Sequence, residues 1–341
     1  MSAFNSVENA RDVESLRHVF GYGEINFYGV SYGSELAQVV IREVPAVRSA
    51  ILDAVVPISY DLLHEPARAQ QMIGERYLLG CREDPRCNAA FPNLAERYLA
   101  MIDRLNAESV NLTIYPIEGE RREIPVQLNG DLLEDVLFSA LYGNVSSIVP
   151  LIVHQADQGD FALVASVLLP SQLGSSGTAE AMHLSVVCSE RSKSSSQPDL
   201  SGVLPRLAEA TRDDAAMQIA ICEAWGIEQL PFDQVAPVRS EKPLLLISGA
   251  YDPFTPPVYG ESLLAQFPAA HHVVFPRGTH GQVVTNMCAN ALVASFLDEP
   301  TSQVETSCIP ASAPEVVTQD DVVFLGVLNR SIAQSGIMGL A

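Results

Sequence analysis

The sequence predicts an α/β fold built on a parallel sheet, and three observations carry that reading. Apolar, β-prone runs alternate with helical periodicity over short connections at both ends of the chain. Residues 25–36, Ile-Asn-Phe-Tyr-Gly-Val-Ser-Tyr-Gly-Ser-Glu-Leu, pass from a strand pattern through Gly29-Val30-Ser31-Tyr32-Gly33 directly into a helix pattern. An acid and a histidine, Asp252 and His280, then each stand a few residues beyond a later strand pattern.

In chain order, Asn5 or Ser6 can cap a helix whose apolar positions Val7, Ala10, Val13, Leu16 and Phe20 recur at helical spacing. Gly21 and Gly23 stop it. The strand at 25–30 and the helix to about Glu43 follow, closed by Pro45, and 47–56 reads as a fully buried strand ended by Pro57. From 58 to 240 helical periodicity dominates, at 61–79, 93–106, 131–141, 145–157, 160–169, 178–187 and 208–224, with a hairpin at 109–128 and loops at 171–177 and 192–202. This block is expected to be a mainly helical lid inserted between two strands of the sheet.

The α/β pattern returns at Pro243. It gives a strand at Leu244–Ser248, a helix near 258–267, a strand at His271–Phe275 and a helix over 281–297. The predicted organisation is thus a first core segment 1–57, a lid 58–240, a second core segment 241–310 and a tail 311–341. The tail carries one apolar run, Val322–Leu328, that fits a strand or an amphipathic segment.

Gly-x-Ser-x-Gly between a strand and a helix is a nucleophile elbow. Small residues are expected at Gly29 and Gly33 because strand and helix nearly touch, lifting the Ser31 hydroxyl above the sheet edge. There the helix dipole favours a developing negative charge. Serine is a poor nucleophile at neutral pH and needs a base held by an acid. His280, in the Gly-Thr-His-Gly loop, is the expected base and Asp252 the expected acid. Asp53 is the alternative acid, although a role as loop anchor through backbone hydrogen bonds fits it better. His18 and His64 read as surface or helix-end residues, His154 and His183 as lid-helix residues, and His271 and His272 as strand residues.

A formal net charge of −21 argues against nucleic acid or an anionic membrane as partner. No apolar run approaches the roughly 18 residues of a membrane span, and Met1–Asp12 lacks the charge and apolar pattern of a signal peptide. The cysteines fall in couples, Cys81 with Cys87, Cys188 with Cys222 and Cys288 with Cys308, without zinc-ligand spacing. Three local disulfides and an oxidising compartment are expected, with buried free thiols in a cytosolic enzyme as the alternative. No motif suggests a metal or an organic cofactor.

The elbow with the preceding Glu-Asn-Ala-Arg-Asp-Val-Glu-Ser-Leu-Arg resembles α/β-hydrolase peptidases related to tripeptidyl and prolyl aminopeptidases. The stretch Leu-Leu-Leu-Ile-Ser-Gly-Ala-Tyr-Asp-Pro-Phe-Thr-Pro-Pro through Gly-Thr-His-Gly, then Cys288-Ala and Thr-Ser-Cys308, is similar to their C-terminal domain. The resemblance covers residues 7 to about 310. It implies the serine–acid–histidine order of that fold, with Ser31 as nucleophile, Asp252 as acid and His280 as base. It also implies exported bacterial hydrolases that release residues from free N-termini, some members being esterases. An acidic lid residue there often holds the substrate's α-ammonium group. Glu190 is the candidate, with a solvated surface glutamate as the alternative.

Family members carry further strands and a Gly-rich oxyanion loop ahead of the first helix. None precedes residue 25 here, so an N-terminally truncated form with a partial sheet is expected. Its missing piece would hold the export signal. The amide of Tyr32 would supply one oxyanion donor, and the strand at 25–30 would present an open edge for self-association or for an N-terminal fragment. The expected activity is peptide hydrolysis near a free N-terminus. A carboxylesterase with the same triad and a catalytically silent form are the alternatives.

Overall fold

The computed structural model describes residues 3–60, 67, 71, 77, 78, 80–115, 122–142, 146–165, 179–190, 200, 203, 205–276, 278–284 and 286–309. Contacts divide the chain into two units, Met1–Ile73 with Ser176–Ala313, and Gly74–Ser175 with Pro314–Ala341. Six strands lie among the described residues: β1 (Ile25–Val30), β2 (Val47–Asp53), β3 (Val110–Ile114), β4 (Ile124–Leu128), β5 (Leu244–Gly249) and β6 (Ala270–Phe275).

In the first unit, helix α1 (Ser6–Val19) starts where the Asn5 side chain accepts the Glu8 amide at 2.9 Å. It leads into β1, helix α2 (Tyr32–Glu43) and β2. The sheet order is β1-β2-β5-β6 and every pairing is parallel. Alternation along the strands fills both faces. Ala50, Leu52, Leu244 and Leu246 pack with Val7, Ala10, Ala37, Val40 and Phe267. Ile51, Leu245, Ile247, Val273 and Phe275 pack with Ala289, Leu292 and Phe296 on the opposite side. Helices covering a parallel sheet in this order, with a strand–serine–helix elbow, form an α/β-hydrolase fold.

The helices Glu180–Glu190 and Pro205–Trp225, within the 58–240 block of the sequence reading, belong to the unit that holds the sheet. The disulfide Cys188–Cys222 links them, and Cys288–Cys308 closes the end of the unit. In the second unit, Leu94–Ala107 buries Leu94, Met101, Ile102 and Leu105 and packs on Gly130–Tyr142 and Val149–Asp157. Arg97 pairs with Asp157 at 2.8 Å. The predicted hairpin is present as β3 antiparallel to β4. A short helix absent from the sequence reading, Pro85–Ala90, has Asp84 as cap beside the Cys81–Cys87 disulfide.

Two expectations need correction. The final helix runs over Met287–Asp298, not 281–297, because Asn286 caps it while the amides of Gln282 and Val283 are taken by Asp53. The helix expected at 258–267 ends earlier, at Pro257–Leu263. Most of the helix expected at 61–79, the end of that at 160–169, the loop at 171–177 and the run Val322–Leu328 lie outside the described residues. No helix among the described residues is long and apolar enough to cross a membrane.

Candidate active site

Ser31 links β1 to α2 with φ 56° and ψ −123°, a backbone state that costs a non-glycine residue about 1–3 kcal/mol. The surroundings impose it. The Ser31 amide donates to the Asp53 carbonyl at 3.0 Å, and the Ser31 carbonyl accepts the Ser34 amide at 2.8 Å and the Ser34 hydroxyl at 2.6 Å. A Cβ on Gly29 would lie 1.9 Å from the Gly33 carbonyl oxygen, so only glycine fits where strand and helix touch. The expectation for Gly33 is corrected: a Cβ there would meet open space.

Asp252 is fully buried just past β5. Its Oδ1 accepts the amides of Phe254 at 2.9 Å and Thr255 at 3.0 Å, and its Oδ2 accepts the Thr255 hydroxyl. These are the bonds an aspartate makes when it folds a turn around itself. His280 Nδ1 lies 2.9 Å from Oδ2 and 3.0 Å from Oδ1, with the histidine side chain only 4% exposed. Ionised carboxylate accepts only, so Nδ1 carries the hydrogen and Nε2 of the neutral ring carries the lone pair. The Phe254 ring stands edge-on to the imidazole at 5.7 Å.

The loop bearing His280 runs back across the carboxyl ends of the strands. At β5 the Gly278 carbonyl accepts the Tyr251 amide at 2.8 Å, and a Cβ on Gly249 would strike the Thr279 carbonyl at 2.2 Å. At β2 the two Asp53 oxygens accept the amides of Gln282 at 2.9 Å and Val283 at 2.8 Å. At β1 a Cβ on Gly281 would sit 3.4 Å from Val30 Cγ2, beside Ser31. The structure therefore brings the His280 loop to the elbow and places Asp53 as the anchor of that loop, while Nδ1 of His280 bonds Asp252 and lies 3.4 Å from the Thr255 hydroxyl. Burial pushes the Asp53 carboxyl up despite its amide donors, and burial next to Asp53 pushes the Tyr28 phenol up as well.

Glu190 ends the Glu180–Glu190 helix and meets the start of α1. Its Oε1 accepts the Ser6 amide at 2.5 Å and its Oε2 the Ser6 hydroxyl at 2.9 Å. The same hydroxyl lies 2.9 Å from the Tyr32 phenol, which also accepts from Asn9 Nδ2 at 3.4 Å. Burial raises the Glu190 carboxyl, opposed by the Ser6 hydrogen bonds and by Arg42. Sequence reasoning missed Ser6, Thr255 and Ser34. Only Thr255 left a signal, three residues after an aspartate at a turn. Of the other histidines, His272 bonds Ser248 at 3.0 Å, His154 lies against Phe91 and Arg97, and His64 falls outside the described residues. Among the described residues no group of three or more His, Cys, Asp or Glu is placed to hold a metal ion.

Residues 208–308 match the family described as "TAP-like protein". The chain is 22% identical over 317 residues to "Putative hydrolase YuaR" of Escherichia coli (strain K12), covering 89% of this chain and 62% of that relative's length. Among solved structures it is similar to MGS-M2, an α/β hydrolase from a Medee basin deep-sea metagenome library, at 12% identity and a TM-score of 0.36, covering 89% of this chain and 74% of that one. It is also similar to a Bacillus megaterium epoxide hydrolase, at 10% identity and a TM-score of 0.36, with 87% and 77% covered. A thermophilic esterase from Thermogutta terrifontis gives 16% identity and a TM-score of 0.34, with 87% and 74% covered.

Proposed function

From a chain whose residues 208–308 match the family described as TAP-like protein, we propose a serine hydrolase that cleaves peptides near a free N-terminus through an acyl-enzyme. The observation that carries this reading is the buried Asp252–His280 pair, 2.9 Å apart, with His280 on a loop that returns to the end of β1. Ser31 attacks the carbonyl carbon while His280 Nε2 takes the hydroxyl proton. Asp252 holds the ring by Nδ1 and favours the imidazolium that forms. The negative charge on the carbonyl oxygen is received by the Tyr32 amide at the N-terminus of α2. Collapse passes the proton from His280 to the leaving amine, and water attacks the ester by the same route to release Ser31.

Glu190 is the residue proposed to receive the substrate's α-ammonium group. A half-buried carboxylate held by one serine keeps lone pairs for a further donor. The three disulfides support an exported enzyme.

A fluorophosphonate probe and two substrates, an aminoacyl anilide and a short-chain nitrophenyl ester, test the reading. Labelling and turnover are expected in the unaltered chain and absent in Ser31→Ala, which should melt like the parent. Glu190→Gln should lower kcat/KM for the anilide at least about tenfold more than for the ester, since the charge partner is lost only for the amine. Turnover that survives Ser31→Ala overturns the mechanism. Turnover of the ester alone assigns a carboxylesterase.

A further inference from the structure

Three side chains at the start of α1 and α2, with Glu190 at the end of the Glu180–Glu190 helix, form one directed chain of hydrogen bonds. The Ser6 hydroxyl has a single hydrogen, and it is given to Glu190 Oε2 at 2.9 Å. Its 2.9 Å contact with Tyr32 must then run the other way, the phenol donating to Ser6 Oγ. The amide nitrogen of Asn9 has only hydrogens to offer, so at 3.4 Å it donates to the phenol oxygen. The polarity is thus Asn9 to Tyr32 to Ser6 to Glu190, and it ends on an anion, the arrangement in which such bonds are strongest. The Ser6 amide bonds the second carboxylate oxygen at 2.5 Å, so one residue fixes both oxygens of Glu190. Ser6 is itself buried.

The phenol held in this way belongs to the residue that follows the nucleophile. Ser31 is in a costly backbone state, and rotating the peptide plane between Ser31 and Tyr32 would relieve it. That rotation would also turn the Tyr32 amide away from the position where an oxyanion forms. A side chain pinned at its far end resists the rotation, because ring and backbone must move together. We infer that Ser6 is a positioning residue for the oxyanion site, holding Tyr32 through its phenol and coupling that hold to Glu190. The inference rests on the hydrolase reading above and deepens it. The carboxylate proposed to receive the substrate's ammonium group also orients the residue whose amide receives the oxyanion.

Ser6→Ala keeps the Asn5 cap of α1 and removes only the hydroxyl, Tyr32→Phe removes only the phenol oxygen, and Ser6→Thr restores a hydroxyl. For each, fluorophosphonate labelling is resolved into its maximal rate and its half-saturating concentration, and amide hydrogen exchange of the segment 31–34 is followed by mass spectrometry. Ser6→Ala and Tyr32→Phe should each lower the maximal rate roughly tenfold, about what one well-placed hydrogen bond supports. The half-saturating concentration should hold. The double variant should be no slower than either single one, Ser6→Thr should recover most of the rate, and exchange at 31–34 should quicken in the two defective variants. Maximal rates within twofold of the parent, or losses that multiply in the double variant, overturn the inference. So does unchanged exchange at 31–34. If the unaltered chain is not labelled, the hydrolase reading fails, and the exchange measurement alone decides whether Ser6 holds Tyr32.

Discussion

Ser31 pays no structural penalty that its neighbours do not enforce. The hydrogen bond that the Ser31 amide donates to the Asp53 carbonyl and the two that Ser34 donates to the Ser31 carbonyl hold it at φ 56°, so the strain belongs to the fold and not to the hydroxyl. Ser31→Ala and Ser31→Gly should therefore both be inactive but differ in stability. Glycine is expected to exceed alanine by about 1–2 kcal/mol in urea unfolding, because it adopts this φ without a Cβ penalty. The strand-end positions of Ser31, Asp252 and His280 were legible because each stands in a short, punctuated motif. The close contact at Gly29 was legible for the same reason. Gly33 misled, since the motif is symmetric in sequence while the packing is not. The bond from Ser6 to Glu190 left no trace, because the carboxylate lies 184 positions away.

Between elements, Asp53 is the joint from β2 to the loop that carries His280. Its two oxygens take the Gln282 and Val283 amides, and neither amide has another partner of equal geometry in the described hydrogen bonds. Asp53→Ala should lower unfolding free energy by about 2–4 kcal/mol, the cost of leaving buried donors unmet. It should also slow probe labelling, as His280 loses its restraint, while the sheet keeps its circular dichroism. Recovery of parental labelling in Asp53→Ala would mean that the loop is held elsewhere. Residues 281–284 have the composition to begin the last helix, and periodicity places them there. The acceptor that claims their amides lies on a strand 229 residues earlier, which no local window contains. Helices bounded by their own caps, such as Ser6–Val19, were read closely; those bounded by distant partners were not.

Across the whole molecule, the cysteine couples read from spacing are joined as three disulfides, one in the second unit and two in the first. Cys188–Cys222 closes a separation of 34 residues, for which chain entropy gives about 3–4 kcal/mol. Replacing both by serine should lower the unfolding free energy by that amount under oxidising conditions, and added reductant should then cost this variant less than it costs the parent. The parallel sheet was legible from strand and helix alternation. The grouping of Glu180–Glu190 with the sheet was not, because helical periodicity carries no address. The order β1-β2-β5-β6 has a last consequence. Ser31 follows one outer strand and His280 the other, three strand spacings or about 14 Å apart at their stems. A loop that crosses that span, fastened at each strand it passes, works as a gauge bar. The separation of the proposed nucleophile and base is then calibrated by the width and twist of four strands, so a core substitution that changes the twist between β2 and β5 would detune the pair without touching either residue.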